Sequence, residues 1–240
     1  MIAYWIVLLI GTALAVLNSM GLVLSSAHCF RYRSGAAMLA LSITGWILGY
    51  LVEGENFRLP QTPVVWIYAV PQSILVVLTW LGYPTSITQL YVSTLLGYSL
   101  AAGFQQGTRT VASIVASWIF SIFAGLLLSM LLLKLLRRAV RPANISRALI
   151  AMRILSLAYV FLLSYVLGGN VLGTVVSLLG GRGDLGTHQV VCAAIIASVY
   201  LSSRASISLG LSKVLFPTRY LTSLIPYSVT LILTQVANRL

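Results

Sequence analysis

The sequence predicts an all-α fold, a polytopic integral membrane protein of about eight transmembrane helices. We expect these helices to form an inverted-topology repeat in which some helices are interrupted. Three observations support this: the apolar composition, a succession of apolar runs with basic ends, and a motif that occurs once in each half. Of the 240 residues, 59% are hydrophobic and 8% are charged, and the mean hydropathy is +0.99. A soluble domain carries about 25% charged residues, so the composition excludes one.

The net charge of +12 arises from 15 Lys and Arg residues against 3 acidic residues. Most of the basic residues stand at the ends of apolar runs, where they face anionic lipid headgroups and set the orientation of the chain. A nucleic-acid-binding protein needs a solvated basic face, and no polar segment is long enough to supply one. The expected partner is therefore the lipid bilayer and not a nucleic acid.

Eight apolar segments are long enough to cross the ~30 Å hydrocarbon core of a bilayer. The sixth is too long for one straight span, and Gly168-Gly169 predict a break near its middle. Asn18 and Gly21 predict a similar interruption in the first. Interrupted helices occur at membrane depth only where the freed backbone is buried in protein or lines a cavity. The eight segments are residues 2–24, 35–52, 63–81, 85–104, 109–136, 148–179, 188–213 and 218–238.

Basic residues crowd the connection that follows the fifth segment, namely Lys134, Arg137, Arg138, Arg141 and Arg147. The positive-inside rule places this connection in the cytoplasm, and counting back five spans places the N-terminus outside. We therefore expect a multi-pass protein of the plasma membrane. The acidic residues Glu53, Glu55 and Asp184 then fall in extracellular loops, so no carboxylate is expected inside a span.

The repeat is predicted from two pairs of similar segments. Residues 18–25 and 170–177 both fit N-x-x-G-x-V-x-S, and residues 71–79 resemble 226–234 in the same order and at nearly the same separation. Five spans, an odd number, lie between the starts of the two units, so the second unit enters the membrane from the opposite side. The expected units are 1–140 and 141–240. In transporters built from inverted repeats, the substrate site lies at the interface between the two repeats.

A polar loop, 82–89, precedes the fourth predicted helix and contains Pro84, Thr85, Ser86 and Thr88. Pro84 suits the first turn of a helix. Backbone N–H groups and hydroxyls at a helix N-terminus can bind an anion without any formal positive charge. The alternative is an ordinary N-cap, and the spacing alone favours that alternative.

These segments resemble the PiT inorganic phosphate transporters. Residues 82–89, followed by 95–103, are similar to that family's G-x-P-V-S-T-T-H…G-x-G-x-A pattern, and residues 167–179 are similar to H-G-A-N-D-V-A-N-A-x-G-P-L. Residues 112–121 resemble its S-W-x-x-S-P helix. The resemblance implies an inorganic phosphate transporter, symporter-like in organisation. The phosphate site that it implies consists of Asn18, Ser19, Thr85, Ser86, Thr88, Asn170 and Thr174.

The chain departs from the family in two respects. Ser19 and Val171 replace the acidic residue of the Asn-Asp motif, so an internal carboxylate for H⁺ coupling is not expected, and the coupling ion, Na⁺ or H⁺, stays open. No cofactor is expected. The sequence also ends at Leu240, where the family has a second polar loop. A homo-oligomer or a second membrane subunit would complete the site.

A non-transporting membrane assembly partner, or a degenerate transporter paralogue, is the alternative function. The missing carboxylates and the missing second loop favour it. An enzyme is not expected, because the sequence has neither H-E-x-x-H nor G-x-S-x-G. Cys29 and Cys192 have no metal-binding spacing, and His28 and His188 stand alone near predicted helix ends.

Overall fold

Helices account for all the regular elements in the computed structural model of the protein, which describes residues 2–27, 35–54, 65–80, 86–139, 145–180 and 184–208. A 3₁₀ turn, Val65–Tyr68, leads directly into the third α-helix, and a π-helical turn, Gly168–Leu172, joins the sixth to the seventh. We call the continuous run from Ile145 to Leu178 the central helix. The α-helices are α1 Ile2–Ala27, α2 Gly35–Glu53, α3 Ala69–Trp80, α4 Ile87–Ala102, α5 Gln105–Ala139, α6 Ile145–Leu167, α7 Gly173–Leu178 and α8 Leu185–Ser208.

Five helical segments in the described residues are long and apolar enough to cross a membrane, which identifies a membrane-embedded protein. The apolar segment Trp66–Leu78 is shorter, and α4 has 16 residues, which is about 24 Å of helix. The eighth predicted segment, 218–238, lies outside the described residues. The five segments are Ile2–Met20, Ala36–Glu53, Gln105–Leu128, Leu157–Leu178 and Leu185–Ser202.

The two predicted interruptions differ in outcome. The prediction for the first helix is wrong, since α1 continues as regular α-helix through Asn18 and Gly21. A single glycine or asparagine costs a helix interior only about 1 kcal/mol or less, so the flanking apolar residues hold the helix together. In the sixth segment the irregularity is at the expected place, but it is a π-helical turn beginning at Gly168 and not a break.

The strongest helix contacts form two parallel pairs. In the first pair, α2 packs on the central helix: Ser42 Oγ lies 3.1 Å from Ser164 Oγ, and the backbone at Gly54 approaches that at Gly173. Residue numbers rise together along this contact, so the two helices run in the same direction. In the second pair, α1 and α8 begin side by side, with Tyr4 Oη 3.2 Å from Thr187 Oγ1, and pack along their lengths.

The two pairs run in opposite directions. Tyr50, near the end of α2, contacts His188, near the start of α8, whereas Met20, near the end of α1, accepts a hydrogen bond from Ser42 in the first half of α2. Hence α1 is antiparallel to α2 and to the central helix. The starts of α1 and α8 lie at the same end of the bundle as the end of α2.

Burial distinguishes the middle of the bundle from its outside. In an 18-residue stretch of the Leu157–Leu178 segment of the central helix 83% of residues are buried, against 17% in a stretch of the same length in the Gln105–Leu128 segment of α5. The α5 helix contacts chiefly α4 and exposes large apolar side chains such as Phe120, Phe123 and Leu127. Lipid tails can cover such a surface, whereas the C-terminal part of the central helix, from Leu163 to Leu178, is almost entirely packed by protein.

Candidate functional site

The π-helical turn and α7 together carry a buried polar segment. Asn170, Thr174 and Ser177 are all buried. Thr174 Oγ1 donates to the Asn170 carbonyl at 2.7 Å, and Ser177 Oγ donates to the Thr174 carbonyl at 3.3 Å. The Gly173 N–H is directed at the carbonyls of both Asn170 and Gly169. The structure therefore brings Asn170 and Thr174, two of the predicted site residues, into direct contact.

Next to this segment, glycines in α2 and in the central helix allow the backbones of the two helices to touch. A Cβ on Gly168 would overlap the Trp46 carbonyl, and a Cβ on Gly49 would overlap the Tyr165 carbonyl. A Cβ on Gly45 would stand 2.7 Å from the Phe161 carbonyl oxygen. Small residues at helix–helix contacts are typical of membrane proteins. Here they bring the backbone of α2 against the start of the π-helical turn, a kind of irregularity that is frequent at functional sites.

Two polar atoms near this segment have no hydrogen-bond partner within the described part of the chain. They are the indole Nε1 of Trp46 in α2 and the hydroxyl of Thr12 in α1, and both side chains are completely buried. An indole N–H can only donate, and a buried polar group without a partner costs about 1–3 kcal/mol. Neither residue could be identified from the sequence, because nothing in the local pattern around Trp46 or Thr12 distinguishes it from an ordinary core position.

The other predicted residues of the first half lie on α1. Asn18 and Ser19 are half-buried there, and α1 contacts the π-helical turn and α7. A Cβ built on Gly11 would lie 3.2 Å from Val175 Cγ1, which brings α1 against the buried polar segment. The helices that carry the two N-x-x-G-x-V-x-S motifs are thus neighbours.

The polar loop residues have a different environment. Ser86 is an exposed N-cap of α4 whose side chain accepts a hydrogen bond from the Gln89 N–H at 3.4 Å. Thr88 is half-buried in the first turn, and Thr85 lies outside the described residues. The α4 helix contacts both α1 and α7, but its fully buried residues begin at Ile87. Ser86 thus has the geometry of the N-cap alternative.

A second buried polar cluster joins α1, α3 and α4. Gln72 Nε2 donates to the Val7 carbonyl at 3.1 Å and to the Tyr91 hydroxyl. The ring of Tyr91 stacks on that of Tyr68, with centroids 4.7 Å apart. A Cβ on Gly11 would stand 2.8 Å from Gln72 Nε2, so a larger residue there would displace the Gln72 amide. In the sequence, the signal that points to this cluster is the Pro-x-Ser segment that contains Gln72 and recurs in the second half of the chain.

A third polar cluster lies at the end of the bundle where α8 begins. The prediction that Glu53 lies in a loop is wrong: it is the last residue of α2, half-buried, and its Oε1 accepts a 2.9 Å hydrogen bond from the Tyr165 hydroxyl. The Tyr50 hydroxyl lies 3.0 Å from His188 Nδ1. Asp184 is exposed, and its Oδ1 accepts from the Thr187 N–H at 3.0 Å. Glu55 lies outside the described residues.

These clusters do not form a metal site, since the described residues contain no group of three or more His, Cys, Asp and Glu side chains able to hold a metal ion. The helices and the buried polar segment define a class, an all-helical, membrane-embedded protein with polar residues buried in an apolar core. No protein-family model matches the sequence, and no curated protein or solved structure is detectably similar to it.

Proposed function

We propose that the protein is a membrane permease for inorganic phosphate, with its anion site between α1 and the π-helical turn and with the inverted repeat predicted from the sequence. The observation that carries the proposal is the arrangement of the two parallel pairs. Under the repeat, α1 corresponds to the central helix and α2 corresponds to α8. The first helix of each half packs on the second helix of the other half, and corresponding helices are antiparallel.

This exchange of partners is what a two-fold axis in the membrane plane produces. Transporters built on such an axis bind their substrate near the bilayer midplane, between the repeats. In support of this, α1, the helix that carries Asn18, contacts the π-helical turn and α7. The resemblance to the PiT transporters, carried by the same residues, favours phosphate as the solute.

The donors around this segment are electrically neutral. Asn170 offers an amide, Trp46 offers an indole N–H and Thr12 offers a hydroxyl, all of them buried. Hydrogen bonds to a charged partner are roughly twice as strong as bonds between neutral groups. A phosphate oxygen beside Trp46 would supply the acceptor that the described residues lack. This site would release its anion readily because it carries no fixed positive charge.

The distribution of charge supports the proposed orientation. Because the central helix is parallel to α2, its start, which contains Arg147, lies at the opposite end of the bundle from Glu53 and Asp184. The basic connection before Arg147 then faces the cytoplasm and the acidic end faces outside. We accordingly place the protein in the plasma membrane with its N-terminus outside.

Uptake of radiolabelled phosphate by proteoliposomes tests the proposal. We expect uptake by the wild-type protein, and for Asn170→Ala a rise in KM of about 10- to 100-fold, the equivalent of the ~1.5–3 kcal/mol of a hydrogen bond to a charged group. Ser202→Ala is the matched control, because Ser202 is a buried residue whose hydroxyl donates within α8. Equal KM values for Asn170→Ala and wild type would reject the site.

The second candidate is a non-transporting assembly partner. It is favoured by the hydroxyls of Thr174 and Ser177, which are committed to carbonyls of their own helix, and by the exposed N-cap geometry of Ser86. For this candidate we expect no phosphate uptake by the isolated protein and co-purification of a second membrane subunit.

A further inference from the structure

The geometry points to a latch between Tyr50 and His188 that holds the two parallel helix pairs together at the end of the bundle where α8 begins. The role of the latch rests on the proposed function, since a closed latch would block the path of phosphate from that end of the bundle to the π-helical turn. The existence of the latch can be tested without any transport measurement.

Three tyrosine hydroxyls make hydrogen bonds between helices at this end, and they have different partners. Tyr4 bonds Thr187 within the α1–α8 pair, and Tyr165 bonds Glu53 within the pair formed by α2 and the central helix. Tyr50 alone among these three reaches from one pair to the other. Its hydroxyl is 3.0 Å from His188 Nδ1, and its ring centroid is 5.6 Å from that of the imidazole.

The bonds within each pair hold the two sides of the latch in place. Asp184 Oδ1 accepts from the Thr187 N–H, which fixes the first turn of α8 just before His188. On the other side, the bond from Tyr165 to Glu53 fixes the last turn of α2, three residues after Tyr50. Tyr50 itself is fully buried. Both groups of the latch are therefore held in place when the bundle is closed.

The contacts within each pair are more extensive than the contacts between the pairs. In the pair formed by α2 and the central helix, Gly49 lies against the Tyr165 carbonyl with no room for a side chain, so these two helices are tightly packed. Between the pairs, a further hydrogen bond joins Ser42 to the sulfur of Met20 at 3.5 Å, and a thioether is a weak acceptor. Opening the Tyr50–His188 contact would part the pairs at one end and leave each of them intact.

Cys192 is a natural reporter of this opening. It is half-buried with a free thiol, and it follows His188 by four residues on α8, which places it on the same helix face one turn deeper. In a Cys29→Ser background, a membrane-impermeant maleimide applied from the α8 N-terminal side measures access to Cys192. We expect Tyr50→Phe to raise the labelling rate about threefold, which corresponds to the ~0.6 kcal/mol average of interhelical hydrogen bonds in a membrane.

Tyr165→Phe and Tyr4→Phe are matched controls, since each removes a tyrosine hydrogen bond at the same end but within a pair. Because each of these bonds supports the latch only indirectly, we expect a smaller increase in labelling for both than for Tyr50→Phe. An unchanged rate in Tyr50→Phe overturns the latch, and so does an equal increase in all three variants, which would mean general loosening. If Tyr50→Phe is not recovered folded, His188→Ala is tested against the same two controls.

A locked form tests the role of the latch in transport. In a background with Ser at positions 29 and 192, Tyr50→Cys and His188→Cys are joined by a short cleavable thiol cross-linker. We expect phosphate uptake to stop on cross-linking and to return on reduction, and uptake that continues in the cross-linked protein overturns the role as a gate. If the wild-type protein takes up no phosphate, the proposed function fails, while the labelling of Cys192 still decides the latch.

Discussion

Gly49 shows how a single missing side chain sets the distance between two helices. A Cβ at this position would overlap the Tyr165 carbonyl, which belongs to the backbone and cannot rotate away. Gly45 and Gly168 make similar contacts along the same interface. The close approach of α2 to the π-helical turn, on which the candidate site depends, is therefore decided by individual glycines.

Replacing Gly49 by Ala should destabilise the protein by about 1–3 kcal/mol, the usual cost of overpacking a well-packed interior. Gly97→Ala is the control, because no atom lies within 4 Å of a Cβ at Gly97 in α4. That variant should be neutral or more stable by about 0.5–1 kcal/mol. Thermal unfolding midpoints of the purified proteins measure both effects, and equal midpoints would show that Gly49 does not set the helix spacing.

Asn18 and Asn170 show that one motif can adopt two backbone structures. The second motif follows Gly168-Gly169 and contains a π-helical turn, whereas the first follows Val16-Leu17 and remains regular α-helix. Two adjacent glycines weaken the helix, and the backbone of α2 packs directly against Gly168. The two motifs therefore differ both in the residues that precede them and in the backbone that packs against them.

At the scale of single elements, α8 depends on its N-cap. Hydrogen bonds from the side chain and the backbone N–H of Thr187 hold the pKa of the Asp184 carboxyl below its usual value. A carboxyl whose pKa is lowered by folding stabilises the folded state above its ordinary pKa and loses this effect as the pH falls through the lowered value. In acid, the first turn of α8 should therefore become less stable, and His188 should be held in place less firmly.

Asp184→Ala should lower the thermal midpoint at pH 7, and its difference from wild type should shrink as the pH falls below the ordinary carboxyl pKa of 3.8. Asp184→Asn is the control, because its amide oxygen can still accept the Thr187 N–H bond but cannot titrate. Unfolding midpoints measured between pH 7 and strongly acidic pH give the comparison. A difference between Ala and wild type that stays constant with pH would contradict the role of the charged carboxyl.

The α4 and α5 helices show a contrast in length. The 16 residues of α4 reach about 24 Å, and the 35 residues of α5 reach about 52 Å. The hydrocarbon core is ~30 Å thick, so α5 either tilts or extends beyond it. Its last turns carry Lys134, Arg137 and Arg138, which suits an end among lipid headgroups.

At the scale of the whole molecule, charge and helix direction together predict the orientation. In a cysteine-free background, a membrane-impermeant maleimide applied to intact cells should label Leu185→Cys, at the exposed start of α8, and should not label Ala143→Cys in the basic connection. Permeabilised cells, in which both positions should react, provide the control. Labelling of Ala143→Cys alone in intact cells would show that the protein has the opposite orientation. The candidate latch would then lie on the cytoplasmic side.

Much of the helix layout could be predicted from the sequence. The segments predicted at 2–24 and 35–52 correspond to α1, Ile2–Ala27, and α2, Gly35–Glu53. The prediction succeeds because bilayer thickness sets the length of an apolar run, and an apolar run is a local property of the chain. The irregularity at Gly168 was also placed correctly, since two adjacent glycines are a local signal.

The pairing of α2 with the central helix, the position of Glu53 and the contact between Tyr50 and His188 became visible only in the folded molecule. Each joins residues that are more than a hundred positions apart in the chain. In a membrane, the lipid-facing and protein-facing sides of a helix are similarly apolar, so hydropathy does not distinguish them. Close backbone packing and scattered polar contacts select the partners, and these depend on three-dimensional shape.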